Sequence, residues 1–250
     1  MAILKLTRRD GTGRRARTRA DSPSVARPAL RVLQGEIAAC TICPSMKPWR
    51  RFGPDASGTH STGFLLVGEA PGYVSWRKRR RFTGPAGMLI RRALRQVGHR
   101  RYRDLEDLFY MTDVVKCHPS PVANPASNRS PSRAEVAACS DYLVRELAVL
   151  RPSVILAFGK RAAVQAAHAL EVSVWAGATK AALITFPHPS PRNQVTIRKR
   201  YASMQDFENA IAETFRRLIA RLEQSRHAGP PLQSWSNESP VTRHGELCRN

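Results

Sequence analysis

The sequence predicts an α/β fold of three layers, in which a four-stranded parallel sheet lies between two layers of helices. Short apolar runs alternate with segments of helical periodicity, and this alternation is typical of parallel sheets. The runs are continuous rather than alternately polar, as expected for strands that are covered on both faces. The predicted strands are Gly63–Gly68, Leu108–Val115, Val154–Gly159 and Ala182–Pro187.

Local signals mark three helices between and after these strands. Pro85 stands where a first-turn proline is tolerated, and apolar residues follow it at helical spacing. Ser132 and Glu135 form a capping-box pattern ahead of a second helix, and Pro152 ends that segment. A last amphipathic helix has apolar residues that step by three or four positions: Met204, Phe207, Ile211, Phe215, Leu218 and Leu222.

The charge balance indicates a polyanionic partner. The chain has 41 Lys and Arg against 19 Asp and Glu, a formal net charge of +22. Proteins this basic meet nucleic acid or an acidic membrane face. No apolar run approaches the ~18 residues of a membrane span, so a transmembrane protein is excluded. We expect no membrane partner at all, because the basic residues cluster beside the candidate site rather than along one amphipathic helix.

A chain of 250 residues can form one domain with a full core, and we predict that this domain covers residues 28–225. Residues 1–27 are predicted to be a basic disordered tail, because they are rich in Arg and have no apolar period. Residues 226–250 are predicted to be a disordered C-terminal tail. The Arg-rich N-terminus is compatible with a transit peptide, but we favour a solvated tail that helps to hold DNA.

Four of the five cysteines form a candidate metal site. Cys40 and Cys43 make a C-x-x-C at a helix end, whereas Cys117 and Cys139 are too far apart for a typical zinc ribbon. Four thiolates from separate elements suit a [4Fe–4S] cluster, and buried inert cysteines remain the alternative. Cys248 is expected to take no part. An odd number of scattered cysteines argues against a secreted disulfide framework, so we expect a cytoplasmic protein of the bacterial cytosol or nucleoid.

Two loops at predicted strand ends carry the candidate chemistry, because ligands of parallel sheets bind at the carboxyl edge. The turn Gly68–Gly72, which contains Glu69, is sharp enough for its backbone to approach a ligand. The segment Pro187–Asn193 is a proline-stiffened loop that presents His188. We expect the two loops to leave neighbouring strand ends, so that an acid and an imidazole face one site.

A run of cations follows Trp76, and it consists of Arg77, Lys78, Arg79, Arg80 and Arg81. Such a run is usually a solvated face, but beside a strand-end loop it is well sited to bind phosphates. Phe82 then places one aromatic ring just before the helix that starts near Pro85.

Taken in order, these motifs resemble the iron–sulphur uracil-DNA glycosylases called family 4. The resemblance runs from about Cys40 to Asn193. Its further motifs are Phe82–Leu89, Val114–Cys117, Asn128–Pro131, Glu135–Cys139, Pro152–Gly159 and His188–Ser190. One such motif is weak, but all of them in order are specific. The resemblance implies a uracil-DNA glycosylase-like fold and a [4Fe–4S] cluster, rather than zinc, on the four cysteines.

The resemblance also implies hydrolysis of the N-glycosidic bond of uracil in DNA, which initiates base excision repair. The base must be flipped out of the stack before the enzyme can reach it. Phe82 would stack on uracil, and the turn residues would bind the carbonyl oxygen together with His188, where negative charge develops. The substrate-binding residues of the turn are Gly68, Ala70, Pro71 and Gly72. Glu69 would orient a water and offset positive charge on the sugar.

The implied partner is uracil-containing DNA, single- or double-stranded, bound by a monomer. Ser190 and Arg192 would grip the phosphates on either side of the flipped nucleotide, with Pro191 as part of the wedge. Arg77–Arg81 would lengthen the contact with DNA. The cluster would be structural, and would tie the helix at Cys40 to the loop after Cys117. Two alternatives stay open: a glycosylase for another deaminated base such as hypoxanthine, and a non-catalytic iron–sulphur DNA-binding protein.

Three departures from the family pattern indicate a divergent branch. Asp113 stands where the family generally has Asn, and an ionised Asp can only accept hydrogen bonds. We therefore expect that Asp113 is either protonated in the pocket or binds the base less selectively. Tyr73 replaces an acid, which leaves Glu69 or Asp113 to position the water. The segment His188–Asn193 is more similar to the corresponding motif of single-strand-selective uracil glycosylases.

Overall fold

The computed structural model describes residues 23–44, 46–47, 54–124, 126–175 and 181–227. Most of the two predicted tails, residues 1–22 and 228–250, lies outside the described residues. The strands are β1 (Phe64–Gly68), β2 (Tyr110–Asp113), β3 (Val154–Phe158) and β4 (Ala182–Phe186). The helices are α1 (Pro23–Ala39), α2 (Tyr73–Lys78), α3 (Pro85–Val97), α4 (Leu105–Leu108), α5 (Arg133–Leu150), α6 (Lys160–Trp175), α7 (Gln194–Arg198) and α8 (Met204–His227).

The four strands form one parallel sheet in the order β2-β1-β3-β4. The predicted parallel sheet is therefore confirmed, and each strand lies within the range predicted for it. β1 and β3 are buried along their whole length, because they occupy the centre of the sheet. β4 is an edge strand with Ala182 and Thr185 exposed, so the expectation of cover on both faces is wrong for that strand.

Helices cover both faces of the sheet, which confirms the three layers. Alternate residues of β1 point to opposite faces. Phe64 and Leu66 share one core cluster with apolar residues of α3, α7 and α8. Leu65 and Val67 share a second cluster with residues of α1, α5 and α6.

The helix start and the helix cap predicted from the sequence agree with the structure. α3 starts at Pro85, and α5 has the capping box of Ser132 and Glu135. α1 begins at Pro23, so ordered structure starts before the predicted domain boundary at residue 28. Among the described residues, no helix combines the length and the apolar character needed to cross a membrane.

Candidate functional site

A cavity of about 640 Å³ opens at the carboxyl edge of the sheet, and we call it the edge cavity. Its wall contains the three residues predicted to be catalytic, namely Glu69, Asp113 and His188. It also contains every residue predicted to bind substrate: Gly68, Ala70, Pro71, Gly72, Phe82 and Ser190. The structure thus brings together groups that are more than a hundred positions apart in the chain.

The two predicted loops meet at this cavity by a route that the sequence did not indicate. The turn Gly68–Gly72, here the β1 turn, and the segment Pro187–Asn193, here the β4 loop, do not leave neighbouring strands, because β3 lies between β1 and β4. The expectation of adjacent strand ends is therefore wrong. The β4 loop crosses the end of β3 at Gly159, where a Cβ would lie 3.3 Å from the Cβ of His188. A glycine at this position lets His188 reach the cavity.

Hydrogen bonds from distant segments hold the β1 turn. The backbone N–H of Val114 donates to the Gly68 carbonyl at 2.9 Å. The buried His118 ring donates from Nδ1 to the Pro71 carbonyl at 2.8 Å. Asn128 accepts from the N–H of Tyr73 through Oδ1 at 2.7 Å. The turn is therefore fixed by residues that lie at least forty positions further along the chain.

Glu69 is oriented by a cation that sequence reasoning missed. Nη1 of Arg161 donates to Oε1 of Glu69 at 2.9 Å and to the Pro131 carbonyl at 2.7 Å. Glu69 is half-buried and lines the same cavity as His188. Burial lowers the pKa of His188 from its usual value, and the charge of Glu69 acts in the opposite direction. The two groups are close enough to interact electrostatically, with a neutral imidazole at neutral pH.

Phe82 has a left-handed backbone conformation, with φ of 53°. Nε of Arg91 donates to the Phe82 carbonyl at 2.9 Å, and Nη2 of Arg91 donates to the Arg81 carbonyl at 2.7 Å. Gly87 lies directly against the Phe82 backbone, where any Cβ would collide. Arg91 and Gly87 therefore hold a backbone conformation that a phenylalanine rarely adopts.

Arg91 is itself fully buried in α3 and is neutralised by two acids near α4. Its guanidinium bonds to Glu106 at 2.7 and 2.8 Å and also to Asp104. Although burial opposes the shift, hydrogen bonds from Arg91 and Arg80 lower the pKa of Glu106 to about 2. One feature of the sequence indicates this network: an arginine, Arg91, stands next to Ile90 among the residues of α3 that face the core.

The run Arg77–Arg81 is divided by the structure. Arg77, Lys78 and Arg79 are exposed outside the cavity wall, as DNA contacts require. Nε of Arg80 donates to Glu106 at 2.8 Å and Nη2 donates to Asp104 at 2.7 Å, so its charge is already balanced. Arg81 is 1% exposed and pairs with Asp113 inside the cavity rather than at the surface where a phosphate would bind, so the expectation that it contacts phosphates is wrong.

Arg81 forms a buried ion pair with Asp113 inside the edge cavity. Burial raises the pKa of the Asp113 carboxyl, and the charges of Arg81 and Lys116 oppose that shift. From the sequence we expected Asp113 either to be protonated in the pocket or to bind the base less selectively. The structure shows that this carboxyl has a cationic partner, Arg81. The partner could not be read from the sequence, because Arg81 stood at the end of a run that resembled a solvated face.

Lys116 holds the backbone of Asp113 in place. Its Nζ donates to the Asp113 carbonyl at 2.7 Å, to Glu146 at 2.7 Å and to the Thr112 hydroxyl at 2.8 Å. Lys116 and Glu146 are both fully buried. This network fixes the end of β2, where Asp113 leaves the sheet.

Segments that carry the candidate metal ligands converge behind the β1 turn. Cys43 and Cys117 pack against the core cluster that contains Cys139. Burial raises the pKa of Cys43, followed by the nearby thiols of Cys139 and Cys40. Backbone hydrogen bonds of 3.1 and 2.9 Å join Lys47 to His118, just beyond Cys43 and Cys117.

In the described part of the chain, no three His, Cys, Asp or Glu side chains are close enough to hold a single metal ion. A [4Fe–4S] cubane takes one cysteine for each iron, so its four sulphur ligands lie further apart than those around one ion. None of the four described cysteines forms a disulfide, Cys40, Cys43 and Cys139 lie within electrostatic reach of one another, and Cys117 packs against the same core cluster. This arrangement fits such a group.

A second cavity of about 1200 Å³, here the side groove, adjoins the edge cavity and shares Glu69 and His188 with it. Exposed cations line this groove, namely Arg133, Lys160 and Arg200. An open, basic groove beside a smaller cavity suits an extended polyanion.

The β4 loop is held largely by its own residues. The Ser190 hydroxyl accepts from the N–H of Arg192 at 3.2 Å, and Nδ2 of Asn193 donates to the His188 carbonyl at 2.9 Å. Pro191 and Arg192 are exposed at the cavity mouth. Of the residues predicted to bind DNA, these two and Arg77–Arg80 are exposed, whereas Arg81 is buried.

The fold and the site define a three-layer α/β protein with an aromatic-walled, acid- and imidazole-containing cavity at the carboxyl edge of its sheet. The family model described as the uracil DNA glycosylase superfamily matches residues 56–212, and the chain belongs to that superfamily.

Three curated relatives are similar to part of this chain. The chain is 38% identical over 130 residues, 52% of its length, to a Type-4 uracil-DNA glycosylase of Pyrobaculum aerophilum, and these residues cover 60% of that protein. It is 39% identical over 128 residues to the Type-4 enzyme of Archaeoglobus fulgidus, with 51% of this chain and 58% of that protein covered. The corresponding values for Thermotoga maritima are 35% over 133 residues, 53% and 63%. The matches thus span about 60% of the length of these relatives.

Proposed function

We propose that this protein is a uracil-DNA glycosylase that extrudes uracil from DNA and hydrolyses its N-glycosidic bond. The observation that carries the proposal is the convergence of Glu69, Phe82, Asp113 and His188 on one edge cavity. The similarity to Type-4 uracil-DNA glycosylases supports the choice of base. An abasic site in DNA and free uracil are the products, so the protein initiates base excision repair.

The residues of the cavity divide the chemistry between the two ends of the breaking bond. The imidazole of His188, neutral because burial lowers its pKa, donates a hydrogen bond to the uracil oxygen on which negative charge develops. The carboxylate of Glu69, oriented by Arg161, offsets the positive charge on the sugar and orients the attacking water. Phe82 stacks on the base, which keeps the extruded ring in place.

Surface cations bind the DNA backbone around this cavity. Arg192 and Ser190 bind phosphates next to the extruded nucleotide, with Pro191 against the duplex, and Arg77, Lys78 and Arg79 extend the contact. The basic side groove accommodates the strand as it leaves the edge cavity.

Cys40, Cys43, Cys117 and Cys139 hold a [4Fe–4S] cluster in this proposal. Held by these cysteines, a cluster would tie the end of α1 to the segment after β2, and its contribution would be structural rather than redox chemistry. His118 connects that segment to the β1 turn, because its ring bonds the Pro71 carbonyl.

A glycosylase assay tests the proposed activity. Purified protein is incubated with oligonucleotides that carry one uracil, one thymine or one inosine, and alkali-labile cleavage is measured in single and double strands. We expect cleavage at uracil and none at thymine. Glu69→Gln should lower the single-turnover rate by about 10²–10⁴-fold, whereas His99→Ala, at an outer ion pair with Glu223, serves as the matched control.

The other outcomes of this assay distinguish the alternatives. Cleavage at inosine in preference to uracil would replace the substrate with hypoxanthine. Salt-sensitive DNA binding without release of any base would overturn the enzymatic proposal and leave a DNA-binding protein.

Analysis of iron and acid-labile sulphide tests the cluster. We expect about four of each per chain in protein purified without oxygen, with a brown colour. Cys117→Ser should lose iron and lower thermal stability, whereas Cys248→Ser should do neither. Stoichiometric zinc without iron would contradict the proposal.

A further inference from the structure

Arg81 and Asp113 form an ion pair where an extruded base would present its polar edge. Both residues line the edge cavity, and both side chains are almost fully buried, at 1% and 6% exposed. A Cβ on Gly68 would meet a carboxylate oxygen of Asp113 and, at 3.2 Å, the Phe82 ring. The carboxylate therefore lies beside the ring on which the base stacks.

The backbone of each partner is held by a separate buried cation. Lys116 donates to the Asp113 carbonyl at 2.7 Å, and Arg91 donates to the Arg81 carbonyl at 2.7 Å. A buried ion pair contributes little net stability compared with apolar residues of the same volume. The two supporting networks thus maintain a charged pair that the core itself does not need.

Uracil presents an acceptor at O4 beside a donor at N3–H. An amide side chain can satisfy both, with its oxygen as acceptor and its NH₂ as donor. A carboxylate can only accept and a guanidinium can only donate, so neither suffices alone, but the pair offers one acceptor next to one donor.

We propose that Arg81 and Asp113 together read the polar edge of the extruded base, with Asp113 accepting from N3–H and Arg81 donating to O4. This inference rests on the proposed function and names the specificity determinants of the same cavity. Cytosine reverses both groups, since its N3 is an acceptor and its exocyclic N4 is a donor. The pair therefore repels cytosine at two positions while it binds uracil.

Substitution of the O4 atom tests the contact from the substrate side. Sulphur accepts hydrogen bonds more weakly than oxygen. We compare the single-turnover excision rates of uracil and 4-thiouracil, both in single-stranded oligonucleotides, and take their ratio for each variant. Intrinsic differences between the two leaving groups cancel when the ratios of two variants are compared.

Arg81→Met removes the donor. Its ratio of uracil to 4-thiouracil excision rates should be lower than that of the wild type by about tenfold or more, as expected for loss of a charge-assisted hydrogen bond. Arg92→Met provides the matched control, because Arg92 bonds Glu208 outside the cavity, and its ratio should equal that of the wild type. Thermal unfolding is measured in parallel, since a merely structural ion pair would lower stability without changing the ratio.

The double variant Arg81→Met/Asp113→Asn covers the case in which Arg81→Met does not fold. It contains no unpaired buried charge and keeps a neutral amide donor. Its uracil to 4-thiouracil ratio should therefore fall between those of the wild type and Arg81→Met. If Arg81→Met is insoluble, the ratio of the double variant should be below that of the wild type. A wild-type ratio in the double variant, or in folded Arg81→Met, overturns the inference alone. Wild-type protein that releases no uracil overturns the proposed function as well.

Discussion

The β1 turn and the β4 loop form two walls of the same cavity, yet they are held in different ways. The β1 turn depends on distant partners, because His118 bonds its backbone, Arg161 bonds its acid and Asn128 bonds the N–H of Tyr73 directly after it. The β4 loop is held mainly by prolines and by hydrogen bonds between its own residues. One wall is therefore built by tertiary structure and the other by local sequence. Substitutions far from the cavity should damage the first wall more than the second.

After Glu69→Gln, the largest effect is expected from a substitution in the β4 loop. His188→Ala removes the donor to the developing oxyanion and should lower the single-turnover rate by about 10²–10³-fold, with little change in DNA affinity. Measurement of rate and affinity on the same uracil oligonucleotide checks this. An equal loss in both would show that His188 binds substrate rather than assisting departure of the base.

The pH dependence of the rate tests the role of His188 in the β4 loop separately from the role of the β1 turn. Because burial lowers the pKa of His188, the imidazole stays neutral down to a pH below its ordinary value of about 6.5. The rate should be constant near neutrality and fall about tenfold per pH unit below the pKa of His188. His188→Gln keeps a donor that does not titrate, so its slower rate should lack this acid limb. An unchanged limb would assign the titration to another group.

The β1 turn should be sensitive to a residue that touches no substrate in the proposal. Asn128→Ala removes the acceptor for the Tyr73 N–H and should cost about 1 kcal/mol of unfolding free energy. We expect a rate about five- to tenfold lower, because the turn loses a fixed contact. Asn209→Ala is the matched control, since its amide bonds Gln96 and Gln205 on the outer helices. Equal effects of the two variants would contradict a special role for Asn128.

The smallest effect concerns the exposed part of the basic run. Alanine at Arg77, Lys78 and Arg79 should reduce the slope of log affinity against log salt concentration by up to about three, with the rate at saturating protein unchanged. Arg217→Ala on α8, whose guanidinium bonds Glu213, should leave the slope unaltered. A slope that survives the triple substitution would move DNA binding to the side groove.

The same comparison explains what the sequence could predict. The structure places His188 of the β4 loop in the edge cavity, as the sequence predicts, and the stiffness of this loop stays a prediction from its prolines, which act locally. The sheet and the capping box of α5 were also local signals. The crossing over β3 was not predicted, since strand order is a tertiary property, and the close approach of His188 to Gly159 at the end of β3 is seen only in the structure.

The errors in the basic run have a related cause. Arg77 and Arg81 are the same residue type four positions apart, and one is exposed whereas the other is buried against Asp113. The acids that bind Arg80, Arg81 and Arg91 come from later segments of the chain. Charge patterning along the sequence predicts the presence of cations, but their partners are chosen by the fold.

The backbone of Phe82 has a consequence for the energetics of binding. Arg91 and Gly87 hold this residue in its left-handed conformation before any ligand arrives. The conformational entropy cost of ordering the Phe82 backbone is therefore incurred when the protein folds, and not at each encounter with DNA. In the proposed reaction, a ring preorganised in this way would stack on a flat base without a closing motion, and the unstacking of the nucleotide would be the main conformational cost.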